Sequence, residues 1–202
     1  MRVETGSVTL ADRLGARFAA TGHLPAPFGG DDFQEMTGDP TPAAVLAAVV
    51  DRPEPTLLLT RRNELMRKHP GQVAFPGGRA DPGDDGPIDT ALREAEEEIA
   101  LPRDAVSIVG IDTPYRTITG FSIVPVLAVI PPDLPLIARE MEVAAIFEVP
   151  LRFLFDPINQ LRRELQLGGV QRRYYEMLWE EHRIWGATAA MIVNLARRIG
   201  DG

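Results

Sequence analysis

An α/β fold is what this sequence predicts, with a mixed sheet between helices in one domain. Three observations carry that expectation. Strand-length apolar runs recur, at residues 43–50 (AAVLAAVV), 56–62 (TLLLTRR) and 121–130 (FSIVPVLAVI). Helical periodicity appears between such runs and again near the C-terminus, so strands and helices are interleaved rather than segregated. The 18 prolines and 18 glycines imply frequent turns.

At 202 residues, 45% of them apolar, the chain can bury a sizeable core as one large domain or one domain with extensions. The absence of cysteine excludes disulfides, thiolate metal sites and cysteine nucleophiles. A reducing, cytoplasmic location is compatible with it. The first 20 residues carry charges throughout and lack the apolar core of a signal peptide. No apolar run approaches the roughly 20 residues of a membrane span. A net charge of −8 argues against nucleic-acid or anionic-membrane partners, which favour a basic surface. It leaves room for a small anionic substrate, because local charge and a bound metal override the global sign.

In chain order, residues 9–20 show helical spacing through Leu10, Leu14, Phe18 and Ala19, and residues 22–42 are rich in Gly, Pro and Asp. Residues 1–42 are therefore expected to be an N-terminal helix and a covering loop, peripheral to a main domain at 43–202. Two apolar runs around DRPEP form a hairpin. RRNELMRKHPGQ is a basic loop, and QVAFPGG is a short strand that stops at Pro76. Pro87 suits the first turn of a helix over about 87–100, capped by Asp85 or Gly86 and stopped by Pro102. AVSIVGI and FSIVPVLAVI follow as strands, then a strand at 142–149 and a short helix at LRFLF. A second hairpin turns at Gly168 and Gly169, and a helix over 188–199 ends at Gly200. The last two elements are expected either to cap the core or to serve the interface of a homodimer.

The stretch 77–101, GGRADPGDDGPIDTALREAEEEIAL, carries the chemistry. At about 100° per residue, Ile88, Ala91, Leu92, Ala95 and Ile99 share a face that should pack on the sheet. Thr90, Glu94, Glu97 and Glu98 share another, while Asp89 and Glu96 point away. Like charges at i,i+3 and i,i+4 repel by a few tenths of a kcal/mol per pair. A hard divalent cation converts that repulsion into binding, since Mg²⁺ takes carboxylate oxygens. Arg93 is placed to pair with a loop carboxylate. A solvated acidic face is the plain alternative for an isolated EAEEE run.

This stretch resembles the Nudix box: Gly, five residues, Glu, seven residues, then Arg-Glu-apolar-any-Glu-Glu-any-Gly-apolar. Gly78, Arg93, Glu94, Ala95, Glu97, Glu98 and Leu101 match. Asp84 stands in place of the first Glu, eight residues rather than seven separate it from Arg93, and Ala100 replaces the usual Gly. Upstream, LLTRRNELMRKHPGQVAFPGG is similar to the signature of the coenzyme A pyrophosphatase branch, with Leu58, Leu59, Thr60, Arg62, Arg67, Gly71, Phe75, Pro76, Gly77 and Gly78 in register. Asn63 sits where that branch carries Ser or Ala. The resemblance covers about residues 43–199.

It implies a Nudix-like α/β/α sandwich and a Mg²⁺- or Mn²⁺-dependent hydrolase of a diphosphate joined to another group. Coenzyme A or an acyl-coenzyme A is the expected substrate, split into 3',5'-ADP and 4'-phosphopantetheine. Glu94, Glu97 and Glu98 are the expected metal ligands, with Arg93 beside them and Glu142 as an extra ligand or base. Arg62, Arg67, Gly77 and Gly78 are expected to meet the substrate. His69 and His182 have no partner at ligand spacing and read as structural or surface residues. Tyr174, Tyr175, Trp179 and Trp185 are expected in core or interface, or lining a pocket for adenine or pantetheine. The rival readings are a Nudix hydrolase of ADP-ribose, NADH or another dinucleotide, a non-catalytic nucleotide-binding module, and a structural domain with an acidic face.

Overall fold

The computed structural model describes residues 8–22, 26–31, 39–66, 68–167 and 170–200. Its main sheet has eight strands: β1 (Thr41–Val50), β2 (Thr56–Arg62), β3 (Val73–Ala74), β4 (Gly77–Arg79), β5 (Ser107–Ile111), β6 (Tyr115–Arg116), β7 (Phe121–Ile130) and β8 (Val143–Pro150). A second sheet holds β9 (Leu161–Leu167), β10 (Val170–Trp179) and β11 (His182–Trp185) in the order β11-β10-β9. The helices are α1 (Leu10–Thr21), α2 (Gly86–Ile99), α3 (Leu151–Phe155) and α4 (Ala187–Ile199).

Strand β1 is the axis of the main sheet. It runs parallel to β7 from Thr41↔Phe121 to Val50↔Ile130, while its partners β2 and β4 are antiparallel. The sheet is therefore mixed, as expected. All of residues 43–50 are buried, which is why β1 reads as a continuous apolar run instead of an alternating one. Its side chains still alternate between two cores. Ala44, Leu46, Ala48 and Val50 join Ala91, Ala95 and Ile99 of α2. Val45, Ala47 and Val49 join Leu10 and Leu14 of α1 and Ile192 and Leu195 of α4. A helix layer on each face makes the α/β/α arrangement.

Helix α1 is less peripheral than its sequence suggests, since Leu10 and Leu14 are 5% exposed. Its end is tied to α4 by Arg198, which donates to the Thr21 carbonyl (2.5 Å) and to Asp112 (3.1 Å). β1 begins two residues before the boundary expected at 43. Helix α4 caps the core, with Ala189 through Leu195 buried. The turn of the β9–β10 hairpin, Gly168 and Gly169, lies outside the described residues. Among the described residues no helix is long and apolar enough to cross a membrane.

Three strands, β4, β6 and β11, are not foreseen. Pairing was expected to stop at Pro76, which has no N–H. Its carbonyl instead accepts from Leu46 N–H (2.8 Å), and the chain changes partner from β2 to β1. Helix α2 ends before Pro102 acts. Ala100 adopts a left-handed conformation (φ 53°), and its N–H and that of Leu101 close on the Glu96 and Ala95 carbonyls. This is the geometry glycine prefers at a helix C-terminus.

Candidate active site

The glutamate helix lies over β1 and β4, and the Gly77–Gly78 pair passes directly beneath it. Close approach to backbone requires Gly77, while Gly78 leaves room for the Glu94 carboxylate. A Cβ on Gly78 would come 2.5 Å from Glu94 Oε2. One on Gly77 (φ 151°) would come 2.5 Å from the Ala44 carbonyl oxygen. The Gly77 N–H donates to Glu98 Oε2 at 3.1 Å.

Glu98 is only 5% exposed. Burial raises its pKa to about 7, opposed by the Gly77 N–H and the Arg62 charge and reinforced by Glu94 and Glu142. Burial also raises Glu94, with Arg93 opposing and Glu97 and Glu142 adding to the rise. Glu98 thus feels the charges of Arg62, Glu94 and Glu142, and Glu94 those of Glu97 and Glu142, although these groups come from α2, the end of β2 and the turn before β8. Glu97 is the most open of the α2 trio, with its side chain 49% exposed.

Arg62 brings its charge with donor capacity to spare. Its Nη2 contacts Met66 Sδ (3.0 Å), while its buried Nε has no hydrogen-bond partner. Arg67, the other expected phosphate contact, lies outside the described residues.

The loop beside the helix is organised differently. Asp84 accepts a two-pronged pair from Arg93, Nε to Oδ1 (2.8 Å) and Nη2 to Oδ2 (3.0 Å). It also accepts from the Thr90 hydroxyl (2.8 Å) and the Asp81 N–H (2.9 Å). Arg93 foremost, then these neighbours, hold its carboxyl well below the usual range. Arg93 donates further to the Arg79 carbonyl (3.0 Å) and to Glu94 (2.9 Å). Asp84 therefore acts as a latch that fastens the longer loop to α2. Asp89 and Glu96 do point away from the site, and both take Arg103 (2.6 and 3.0 Å).

Among the described residues no three His, Asp or Glu side chains already converge as a metal cage. Glu94 leans to Arg93 and Glu98 to Gly77. The donor set nevertheless fits a hard divalent ion: oxygen-only, mutually repelling, one member nearly buried with a single N–H donor. Glu94, Glu97, Glu98 and Glu142 are the residues that could hold it.

Sequence reasoning missed a second feature. Alternation along β2 sends Arg61 to the opposite sheet face from Arg62. There Arg61, His69, His182, Arg183 and Trp185 line a cleft of about 470 Å³. His182 is buried (8% exposed) and stacks on Phe147 at 3.7 Å. Of the four aromatics singled out above, Trp185 lines this cleft, whereas Tyr175 packs on Phe28 and Trp179 on Phe153. The signal that could have found the cleft is weak, being only an arginine pair on a strand end whose neighbours face opposite ways.

Comparison with known proteins bears on what this arrangement is. A family model described as "NUDIX domain" matches residues 40–165. Proteins named "Uncharacterized Nudix hydrolase NudL" from Yersinia enterocolitica and Cronobacter sakazakii are each 47% identical, over 157 and 164 residues. The matches cover 78% and 79% of this chain and 80% and 83% of those proteins. A solved Nudix hydrolase from M. smegmatis, RenU, is 22% identical over 57% of this chain and 74% of its own, with a TM-score of 0.48. The matched span contains the glutamate helix, its glycine shelf and the Asp84 latch, and the chain belongs to the Nudix hydrolase family.

Proposed function

We propose that this Nudix hydrolase cleaves the diphosphate bond of coenzyme A or an acyl-coenzyme A, giving 3',5'-ADP and 4'-phosphopantetheine or its acyl form. The family makes it an enzyme acting on nucleoside diphosphate derivatives. The observation that supports the reading is the nearly buried Glu98, held by the Gly77 N–H (3.1 Å) and acted on by the Arg62 and Glu142 charges.

In this reading Glu94, Glu97 and Glu98 hold Mg²⁺ or Mn²⁺, and Glu142 is an extra ligand or the base. A bound divalent ion supplies charge neutralisation at the diphosphate and lowers the pKa of water. Gly77 and Gly78 allow the strand to pass close under the glutamates, and the Gly77 N–H orients Glu98. Arg93, braced by Asp84, keeps Glu94 and Glu97 on one side of the helix. Water adds across one P–O bond of the bridge, and its proton passes to a site carboxylate. Arg62 and Arg67 bind substrate phosphates, a role that suits the planar guanidinium fork.

ADP-ribose or NADH is the second reading, favoured by Asn63 in place of the Ser or Ala of the coenzyme A branch. Incubation with Mg²⁺ or Mn²⁺ and a panel of coenzyme A, acyl-coenzyme A, ADP-ribose, NADH and nucleoside triphosphates, with products identified by mass, separates the two. Release of 3',5'-ADP at the highest kcat/KM of the panel supports the first reading. Turnover confined to ADP-ribose or NADH supports the second.

A further inference from the structure

We propose that Asn63 is a positioning residue that ties the basic loop to the turn at residues 139–142 and so holds Glu142 beside the glutamates of α2. The inference rests on the reading of Glu142 as part of the metal site. Its own observation is a set of hydrogen bonds that no single motif contains.

Asn63 uses its amide at both ends. Its Nδ2 donates to the Glu140 carbonyl (2.5 Å), and its Oδ1 accepts from the Leu65 N–H (2.9 Å). Its backbone N–H donates to the Glu142 carbonyl (2.9 Å). The carboxamide offers a donor and an acceptor on separate atoms, so one side chain bonds both the turn and its own loop. The turn is fastened on its other side to the end of α2, where Arg139 N–H donates to the Glu98 carbonyl (2.8 Å) and Ile137 N–H to that of Ile99 (3.0 Å). Glu142 N–H then donates to the Arg139 carbonyl (2.8 Å). The backbone of Glu142 is thus suspended between α2 and Asn63, and its carboxylate pairs with Arg139 (3.4 Å).

Apolar burial does not do this work. Leu65, Ile137 and Met141 are 91%, 69% and 81% exposed, so the loop and the turn have little packing between them. The pairing of β2 with β8 also shifts register between Arg61 and Arg62, immediately before Asn63. Past that bulge the ladder gives way to the asparagine's own bonds.

The test is Mn²⁺ binding to the full chain, followed by the electron paramagnetic resonance of free Mn²⁺, for the wild type, Asn63→Ala, Glu142→Gln and the double variant. Loss of an orienting group outside the ligand set typically weakens metal binding about tenfold or more. Asn63→Ala should weaken Mn²⁺ by about that factor, and the double variant should bind no more weakly than Glu142→Gln alone. The melting temperature of metal-free Asn63→Ala should move by no more than about 2–4 °C. Wild-type affinity in Asn63→Ala, or equal weakening in both backgrounds, overturns the positioning role while leaving Glu142 in place. Unchanged affinity in Glu142→Gln overturns the Glu142 reading and this inference with it.

Discussion

The side chains of Asp84 and Glu98, one against α2 and one on it, are both nearly out of solvent, and the fold treats them oppositely. Asp84 receives a guanidinium fork, a hydroxyl and an N–H. Glu98 receives one N–H and the Arg62 charge, against its burial and the repulsion of two further carboxylates. A buried charge that is paired and hydrogen-bonded serves structure, whereas one left short of partners stores a demand for a cation. The difference separates the part of the acidic loop and helix that builds the site from the part that awaits a ligand.

The largest expected effect comes from removing the unsatisfied side. Glu98→Gln or Glu97→Gln should lower kcat by about 10²–10³-fold at saturating Mg²⁺, the scale of losing one preorganised electrostatic group. Near-normal turnover in either variant would erase the contrast with Asp84. Next comes the latch. Asp84→Asn or Arg93→Ala should cost about 10–100-fold, as supporting groups around metal sites do. The double variant should be no worse than the poorer single one, because both cut the same contact; additive losses in a kinetic cycle would show separate roles.

Stability against pH sharpens the comparison by sign. Glu98 has a raised folded pKa, so its contribution is fully present below its unfolded value and is lost as pH rises through about 7. Metal-free protein should therefore lose on the order of 2–3 kcal/mol between pH 4.5 and 8 in urea melts. Glu98→Gln should flatten that slope, and Mg²⁺ at pH 8 should raise the wild-type midpoint. Asp84 has a depressed folded pKa, so its contribution is present above its unfolded value and lost as pH falls through the folded one. Asp84→Asn should accordingly soften acid unfolding. The smallest effect lies at the helix end. Ala100→Gly relieves a left-handed alanine and should stabilise by about 0.5–1 kcal/mol, or roughly 1–4 °C in Tm.

Elements whose signal is local were legible in advance. The period of Ile88, Ala91, Leu92, Ala95 and Ile99 identified α2 and the face it buries, and the same geometry separated Glu94, Glu97 and Glu98 from Glu96. β4 was not legible, because its three residues gain a strand's identity only by pairing with β1. β11 is four residues long, too short for its alternation to stand out. The role of Asp84 was also hidden, since spacing alone suits a metal ligand and a latch equally.

The amino-acid order by itself determined the helix, its acidic face, the glycine pair beneath it and the arginines upstream, because each depends on neighbours within a turn or a strand. Only the tertiary structure decided that β1 runs parallel to β7, that Asp84 meets Arg93, and that the turn carrying Glu142 is fastened to the end of α2. Those outcomes depend on contacts between segments far apart in the chain, and on which carboxylate the core leaves without a partner.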